Sequence, residues 1–426
     1  MEPLSRDKPV NPCRDWFLVL LLFAELLLVT ATWRLWFAAD VFPVIPLFQH
    51  CGIVPAYIDP VLSVIFVISV AVWMWTLLFP VFAVSRCGRC SAYASWIALS
   101  CALALACLNQ HRLQPWHWLF ILVTAQAKLL AEPHQKWLRR LTVASIYVFA
   151  ALSRLGPEIA TGATRQVVAA ACRQLGAVTL IQNESAVYRM CIVATLAELV
   201  MGMALLIPLT RRFAVAGAVL MHLVLLVLLS PAGLDHHLGV LIWNAFFVFG
   251  IPLLFLLRQT LVTDNQNADD DCNSSYSYWA AGVFAAFVML FPLSGLFGIA
   301  DNWLAWQVYS PGSDVVRVYV KESEVVALPA DVQPFVRAPV LLDVWCPVRI
   351  DLWSLASVNV PQYPEDRFQL GIAYDLSRHL ESDSVQVTIQ SARTLFWQGR
   401  QVQELHGRDA ILQAIECYLL NGAVVR

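Results

Sequence analysis

The stretch LNQHRLQPW, residues 108–116, gathers Asn109, Gln110, His111, Arg112 and Gln114 between two apolar runs, and ends at Pro115 and Trp116. A neutral histidine accepts a proton or a hydrogen bond, an arginine holds an anionic group, and the amides orient what lies between them. Pro115 is suited to open a helix and so to fix the turn. Similar residues recur beside other apolar runs. Arg154 and Glu158 end one, Asp235, His236 and His237 follow another, and Trp243 and Asn244 begin the next. His50, Trp303 and Trp306 fall in comparable places, while His222 and Glu198 lie within runs. Ionisable groups inside such runs are costly, so they face a cavity or a partner.

The elements that position these residues are set by composition. Of 426 residues, 59% are hydrophobic and 14% charged, against roughly 25% charged in an ordinary soluble domain. The mean hydropathy is +0.64. These values exclude an ordinary soluble enzyme and fit a polytopic membrane protein. A formal charge of −2 without a basic stripe gives nucleic acid no surface to bind, so none is expected as a partner. Sixteen Trp suit a protein with two membrane interfaces. The 11 Cys form no regular ladder, and Cys101, Cys107 and Cys191 sit in apolar runs as small hydrophobes. Cys87 and Cys90 form a C-x-x-C flanked by Arg86 and Arg89. With no βαβ pattern around it, this reads as two loop cysteines.

A span needs about 20 mostly apolar residues. Nine stretches qualify, near 16–38, 60–84, 92–110, 115–131, 141–157, 188–209, 213–231, 238–257 and 277–299, the fourth and fifth being the shortest. The first reads as a retained anchor, since no small-residue cleavage site follows it. Arg6, Lys8 and Arg14, then Arg86 and Arg89, Lys136, Arg139 and Arg140, Arg211 and Arg212, and Arg258 all fall on one side of a nine-span layout. That places the N-terminus in the cytoplasm. Arg34, Arg112, Arg154, Arg165, Arg173 and Arg189 are the exceptions. Residues 158–187 read as a loop of helical character along the outer surface. The segment 264–275 reads as a polar cytoplasmic linker.

Past residue 300 the pattern changes. VVRVYV (315–320) and VQVTIQ (385–390) alternate as strands do, whereas 364–380 and 407–420 have helical periodicity. The expected fold is therefore an α-helical polytopic membrane domain over 1–300 and an extracytoplasmic α/β domain over 301–426, periplasmic or lumenal.

This layout predicts one outward-opening pocket lined by His111, Arg154, His222 and His237, with Asn109, Arg112, Trp116, Glu158 and Asn244 as further ligand contacts. Apolar walls with a few convergent polar groups suit a quinone-like ligand or a lipid head group. Glu158, one turn beyond Arg154, is its expected partner. His236 and His237 adjoin Asp235, but adjacent histidines rarely bind one ion without other ligands and none is identifiable, so no metal is expected.

Three stretches resemble the family of vitamin K-dependent gamma-carboxylase and its bacterial HTTM membrane homologues, with DoxX- and MauE-type proteins near in pattern. They are LNQHRLQPWHWLF (108–120), IYVFAALSRLGPEIATG (146–162) and MHLVLLVLLSPAGLDHH (221–237). The resemblance covers about residues 15–300. It implies a hydrophobic quinone pocket, and a quinol-deprotonating base at the Lys of the second element. Arg154 occupies that position, and Ala151 and Ile159 replace the family's Gly and Trp. A guanidinium stays protonated and cannot serve as that base. His111 and His222 carry over; glutamyl carboxylation does not.

Three readings follow. In the first, the chain acts on a quinone-like or lipid ligand at the outer face: His111 accepts a proton, Arg154 holds an anionic group and His222 supports from mid-membrane. In the second, it is a non-catalytic subunit or redox accessory protein whose outer domain docks a protein partner; the segment 337–365, rich in Trp, Leu and Val, reads first as that domain's core or a surface resting on the bilayer, and second as such a docking patch. A transporter ranks third, since no matched pair of broken helices is visible.

Overall fold

Long apolar runs fold as helices because a helix satisfies every backbone N–H and C=O within its own segment, the requirement imposed wherever water is absent. A computed structural model describes residues 15–38, 40–79, 87–257, 271–339, 343–392 and 400–420, with 87, 88, 133 and 271–277 described by backbone alone. The helices are α1 (Trp16–Ala31), α2 (Trp33–Phe37), α3 (Ile58–Leu78), α4 (Cys87–Leu108), α5 (Pro115–Leu129), α6 (Glu132–Arg154), α7 (Ala163–Gln174), α8 (Val178–Ile181), α9 (Glu184–Leu206), α10 (Arg211–Leu229), α11 (Leu238–Phe255) and α12 (Asp271–Gly295). The expected loop at 158–187 thus holds α7 and α8, and α7 packs on α9 and α10. Cys90 stands exposed in the first turn of α4.

Each of the nine expected stretches holds a helix. Among the described residues, however, six are long and apolar enough to cross a membrane: Ile58–Leu78, Arg89–Leu108, Glu184–Leu206, Arg211–Leu229, Leu238–Phe255 and Tyr278–Gly295. Six such helices are consistent with a multi-pass integral membrane protein. The other three fall short for visible reasons. α1 has 16 residues and α5 has 15. α6 has 23 but carries Glu132, Lys136, Arg139 and Arg140 in its first half. These three occupy the interior: α1 touches α3, α5 and α11, α5 bridges α1, α4 and α6, and α6 touches α9, α11 and α12. A helix that faces protein need be neither long nor uniformly apolar.

Exposed aromatic residues mark the two ends of the bundle. Trp16, Trp75, Trp96, Trp137, Tyr278 and Trp279 are exposed at one end, and Trp33, Tyr57, Tyr188 and Phe297 at the other. At the first end the basic groups of α6 cap neighbouring helices. Lys136 Nζ donates to Leu257 O (2.6 Å), and Arg140 Nε to Leu254 O (3.0 Å). Arg139 pairs with Asp15, whose Oδ1 caps α1 by accepting from Leu18 N (3.1 Å). Cations at helix C-termini and an acid at an N-terminus are favoured by the helix dipole.

The second end carries the C-terminal layer. Strands β1 (Val315–Lys321), β2 (Trp345–Val348), β3 (Val385–Gln390) and β4 (Val402–His406) form an antiparallel sheet in the order β2-β1-β3-β4. Val318 pairs with Val348 on one side and Val387 on the other. Val316, Val318 and Val320 alternate inward, as do Val385, Val387 and Ile389. Helices α13 (Ile350–Val358), α14 (Asp366–Ser377) and α15 (Arg408–Glu416) complete the layer. Phe368, Leu370 and Ile372 of α14 are all buried, so this helix is enclosed on more than its sheet-facing side. The main hydrophobic cluster is continuous from Leu119 and Phe120 of α5 through Trp303 to Val318 and Phe368. Much of the segment 337–365 is core, the first of the readings its composition allowed. Cys346, Val348, Ile350, Trp353, Val358, Val360 and Tyr363 are buried, because this stretch supplies β2, α13 and the local core.

Candidate functional site

The 109–114 turn is a fastener. Asn109 Oδ1 accepts from His111 N (3.1 Å), shaping the turn from within. Arg112 is 2% exposed. Its Nη1 donates to Asp59 Oδ1 (2.6 Å), while Nε and Nη2 donate to Leu35 O at 3.1 and 3.0 Å. It therefore caps α2 and ties it to the start of α3, and its guanidinium lies 5.4 Å from the Trp36 ring. Trp116 packs on Trp36 at 5.9 Å. Gln110 Oε1 accepts from Arg367 Nε (2.9 Å), and Trp118 Nε1 donates to Leu304 O (3.1 Å). Apart from the Asn109 bond within the turn, these bonds join the turn or α5 to α2, to the start of α3, or to residues beyond α12.

His111 belongs to that interface. Its Nε2 donates to Pro361 O (3.0 Å), with Ser354 Oγ at 3.3 Å. Phe42 and Phe368 flank the ring at 5.2 and 5.1 Å. Burial lowers the imidazole pKa to about 4, against an opposing pull from the Pro361 carbonyl. The ring is thus neutral at ordinary pH, and Nδ1 is a buried acceptor with no partner among the described residues. The adjoining void, lined also by Asn109 and Arg112, measures about 10 Å³, room for one water and no ring.

His222 lies elsewhere, inside the bundle. Asn244 Nδ2 donates to Val240 O (2.8 Å), which turns Oδ1 toward His222 Nδ1 at 2.9 Å. Nδ1 therefore carries the proton, and Nε2 accepts from the Tyr147 hydroxyl at 2.5 Å. This triad joins α6, α10 and α11, and His222 stacks on Phe247 at 4.8 Å. The α6–α9 contact beside it is close: a Cβ at Gly202 would come within 2.7 Å of Tyr147 Cβ.

Arg154 marks a third place. Its Nε donates to Ala150 O (2.8 Å) and its Nη2 to Glu198 Oε2 (2.5 Å). The expected Arg154–Glu158 pair is not formed. α6 ends at Arg154, so Glu158 is not one helical turn away on the same surface; it accepts instead from Arg400 Nη2 (2.7 Å). Both residues line a cavity of about 170 Å³ where α6 and α12 end against the C-terminal layer. Its apolar wall includes Leu152, Leu155, Leu296 and Phe297, and its polar wall Asn302, Gln307, Asp314 and Glu365. Gln307 Nε2 is a buried donor with no partner among the described residues.

The acids on this wall are held in unusual states. Glu365 Oε1 accepts from Asn302 N (2.7 Å) and Nδ2 (3.0 Å). Burial, and then the nearby Asp301 carboxylate, push the Glu365 carboxyl up to about 8. Burial, and then Asp366, raise Asp314 to about 6. Asp301 itself is held by Arg367, with Nη1 at 2.9 Å and Nη2 at 2.5 Å. Near neutral pH the lining therefore holds a carboxylic acid at Glu365 and largely a carboxylate at Asp314, beside the Arg154 and Gln307 side chains.

The single pocket expected from the sequence is thus divided. Arg154 and Glu158 share the cavity, His111, Arg112 and Asn109 share a water-sized void, and His222 with Asn244 forms the mid-bundle triad. His237 is the N-cap residue of α11 and lines neither space among the described residues. Sequence reasoning missed Gln307, Asp314 and Glu365 on the cavity wall. It also missed His117 Nδ1, 2.6 Å from Glu25 Oε1 in the bundle centre. A carboxylate within the apolar run of α1 was the available signal for Glu25; Gln307 carries none. No group of three or more His, Cys, Asp or Glu suited to a metal occurs among the described residues. Comparison with protein-family models, curated proteins and solved structures finds no match to this chain. The fold is a helical bundle whose six long apolar helices are consistent with an integral membrane protein, with a cavity of about 170 Å³ where it meets the C-terminal layer.

Proposed function

We propose that the chain holds the head of a small amphipathic ligand, quinone-like or lipid, in the cavity between the ends of α6 and α12 and the C-terminal layer. One observation carries this reading: Gln307, whose buried Nε2 has no partner among the described residues, lines a 170 Å³ cavity whose lining also includes Leu152, Leu155, Leu296 and Phe297. A cavity of about 150 Å³ takes a benzene-sized ring, and apolar walls with few polar groups are the usual form of a small-molecule site. Arg154 and Gln307 donate to ligand oxygens, and Glu365 donates or accepts according to its proton. The ligand class is the one implied by the resemblance to the gamma-carboxylase-like HTTM family. A proton-accepting base at Arg154 is excluded by its chemistry, so glutamyl carboxylation is not part of this reading.

The same reading sets the bundle in the membrane with its N-terminus cytoplasmic and the C-terminal layer periplasmic or lumenal. The clustering of Lys136, Arg139, Arg140 and Arg211 at the end away from the sheet supports it. Three exceptions to the basic bias, Arg112, Arg154 and Arg165, are engaged by Asp59, Glu198 and Glu184.

The test is mass spectrometry of small molecules retained by the protein after gentle extraction from its own membranes. The parent is expected to hold one defined quinone or lipid that Arg154→Ala and Gln307→Leu lose. Equal bulk lipid in all three would reject the site.

A further inference from the structure

The exposed apolar surface of α12 does not stop at the helix end. Val283, Phe287, Leu290 and Leu293 follow one another at helical spacing on the exposed side. The stripe then continues onto Phe297, 53% exposed, and Ile299, 79% exposed. Residues 279–300 contain no Lys, Arg, Asp or Glu. This turn is built rather than loose. Ile299 N donates to Ser294 O (3.2 Å) and Gly298 N to Gly295 O (2.9 Å), the paired bonds of a helix C-cap, with Gly298 at φ 71°. A side chain there would strain the backbone, and the cap holds its two apolar neighbours in fixed positions.

Phe297 is at once a wall of the 170 Å³ cavity and part of this exposed stripe. Leu152, Leu155 and Gly156 at the end of α6 line the same cavity. The loop beyond runs past Gly162, where a Cβ would lie 3.3 Å from Pro311 Cβ, into α7 and then α8, with Leu175, Val178 and Leu180 exposed.

We infer that the mouth of the cavity opens sideways onto the bilayer, between Phe297–Ile299 and the end of α6, so that its ligand arrives from the lipid phase. The occupant of this surface is the head-group and upper acyl layer of the membrane. Continuity with the lipid-facing stripe of α12 argues for lipid, because exposed Phe and Ile beside an uncharged run are costly in water and favoured at an interface. The ligand's route rests on the reading of the cavity as a ligand site; the lipid contact does not.

The experiment places a nitroxide at Ile299→Cys or Phe297→Cys, in a chain whose other accessible cysteines are replaced by serine. The labelled protein is reconstituted in nanodiscs of phosphatidylcholine and phosphatidylglycerol. Collisions with oxygen, which concentrates in lipid, are compared with those of a water-soluble nickel chelate. Oxygen is expected to dominate at both positions, and the chelate at Val326→Cys in the C-terminal layer. Dominance of the chelate at 297 and 299 would overturn the lateral mouth, whatever the cavity holds. Phe297→Asp is expected to lower the ligand retained by the parent several-fold; unchanged retention would also overturn it. A parent that retains nothing would reject the ligand reading and leave the collision result to decide the lipid contact alone.

Discussion

The turn at His111 and the cavity at Arg154 lie at the same end of the bundle and carry the same kinds of residue, yet they use them oppositely. In the turn, Arg112 donates to Asp59 and to helix carbonyls, and His111 bonds Pro361 under the C-terminal layer. In the cavity, Gln307 Nε2 has no protein partner among the described residues and two acids sit away from their ordinary protonation range. A dense polar stretch in sequence therefore marks a join as readily as a site. What separates the two is room: about 10 Å³ lies beside the turn, where His111 Nδ1 lacks a partner among the described residues, and about 170 Å³ lies beside Gln307.

The largest way to break this contrast is Arg112→Ala. It leaves Asp59 as a buried charge without its cation, and a loss of about 3–5 kcal/mol in unfolding free energy is expected. Replacing both partners, Arg112→Met with Asp59→Leu, should recover most of that loss. Stability unchanged in the single variant would remove Arg112 from the join. Arg154→Ala comes next. Its Glu198 partner is 16% exposed, so a smaller loss of about 1–3 kcal/mol is expected, together with loss of ligand. His111→Phe keeps the volume and gives up the Pro361 bond; unfolding should show a loss of about 0.5–1.5 kcal/mol while retained ligand is unchanged.

The two regions also differ in the sign of their pH dependence. Glu365 stands at about 8 when folded against 4.5 unfolded, so the folded chain binds the extra proton between those values. Its contribution is complete below pH 4.5 and is lost as pH rises through 8. Asp314 acts in the same direction between 3.8 and about 6. His111 has the opposite sign: at about 4 folded against 6.5 unfolded, its contribution is lost as pH falls from 6.5 through 4. Thermal midpoints across pH should show Glu365→Gln flattening the alkaline fall and His111→Phe flattening the acid fall. Each variant acting on the other limb would reverse the assignment. Gln307→Leu should have the smallest effect on stability, within about 0.5 kcal/mol, since it removes a donor with no partner among the described residues.

Hydropathy made the helices legible, because the apolar run and the helix are set by the same lack of water. It could not separate the interior helices from those that face lipid. α1 and α5 are short and α6 is polar in its first half, and that becomes informative only once neighbours surround them. Strands β1 and β3 were readable from alternation, whereas 337–365 was legible as an apolar stretch but not as the β2 and α13 it forms. The site was legible in part. Arg154 and Glu158 were singled out, but their partners are 44 and 242 residues away, and no local rule reaches that far. Asp59 is 53 residues from Arg112, and Gln307 carries no pattern at all.

The most direct test sets Gln307→Leu beside His111→Phe and measures two quantities on each: the thermal midpoint, and the small molecule retained after extraction from native membranes. The account predicts a crossing, with Gln307→Leu near the parent in stability but stripped of ligand, and His111→Phe destabilised but loaded. Ligand lost from His111→Phe and kept by Gln307→Leu would contradict it, and would return the site to the turn.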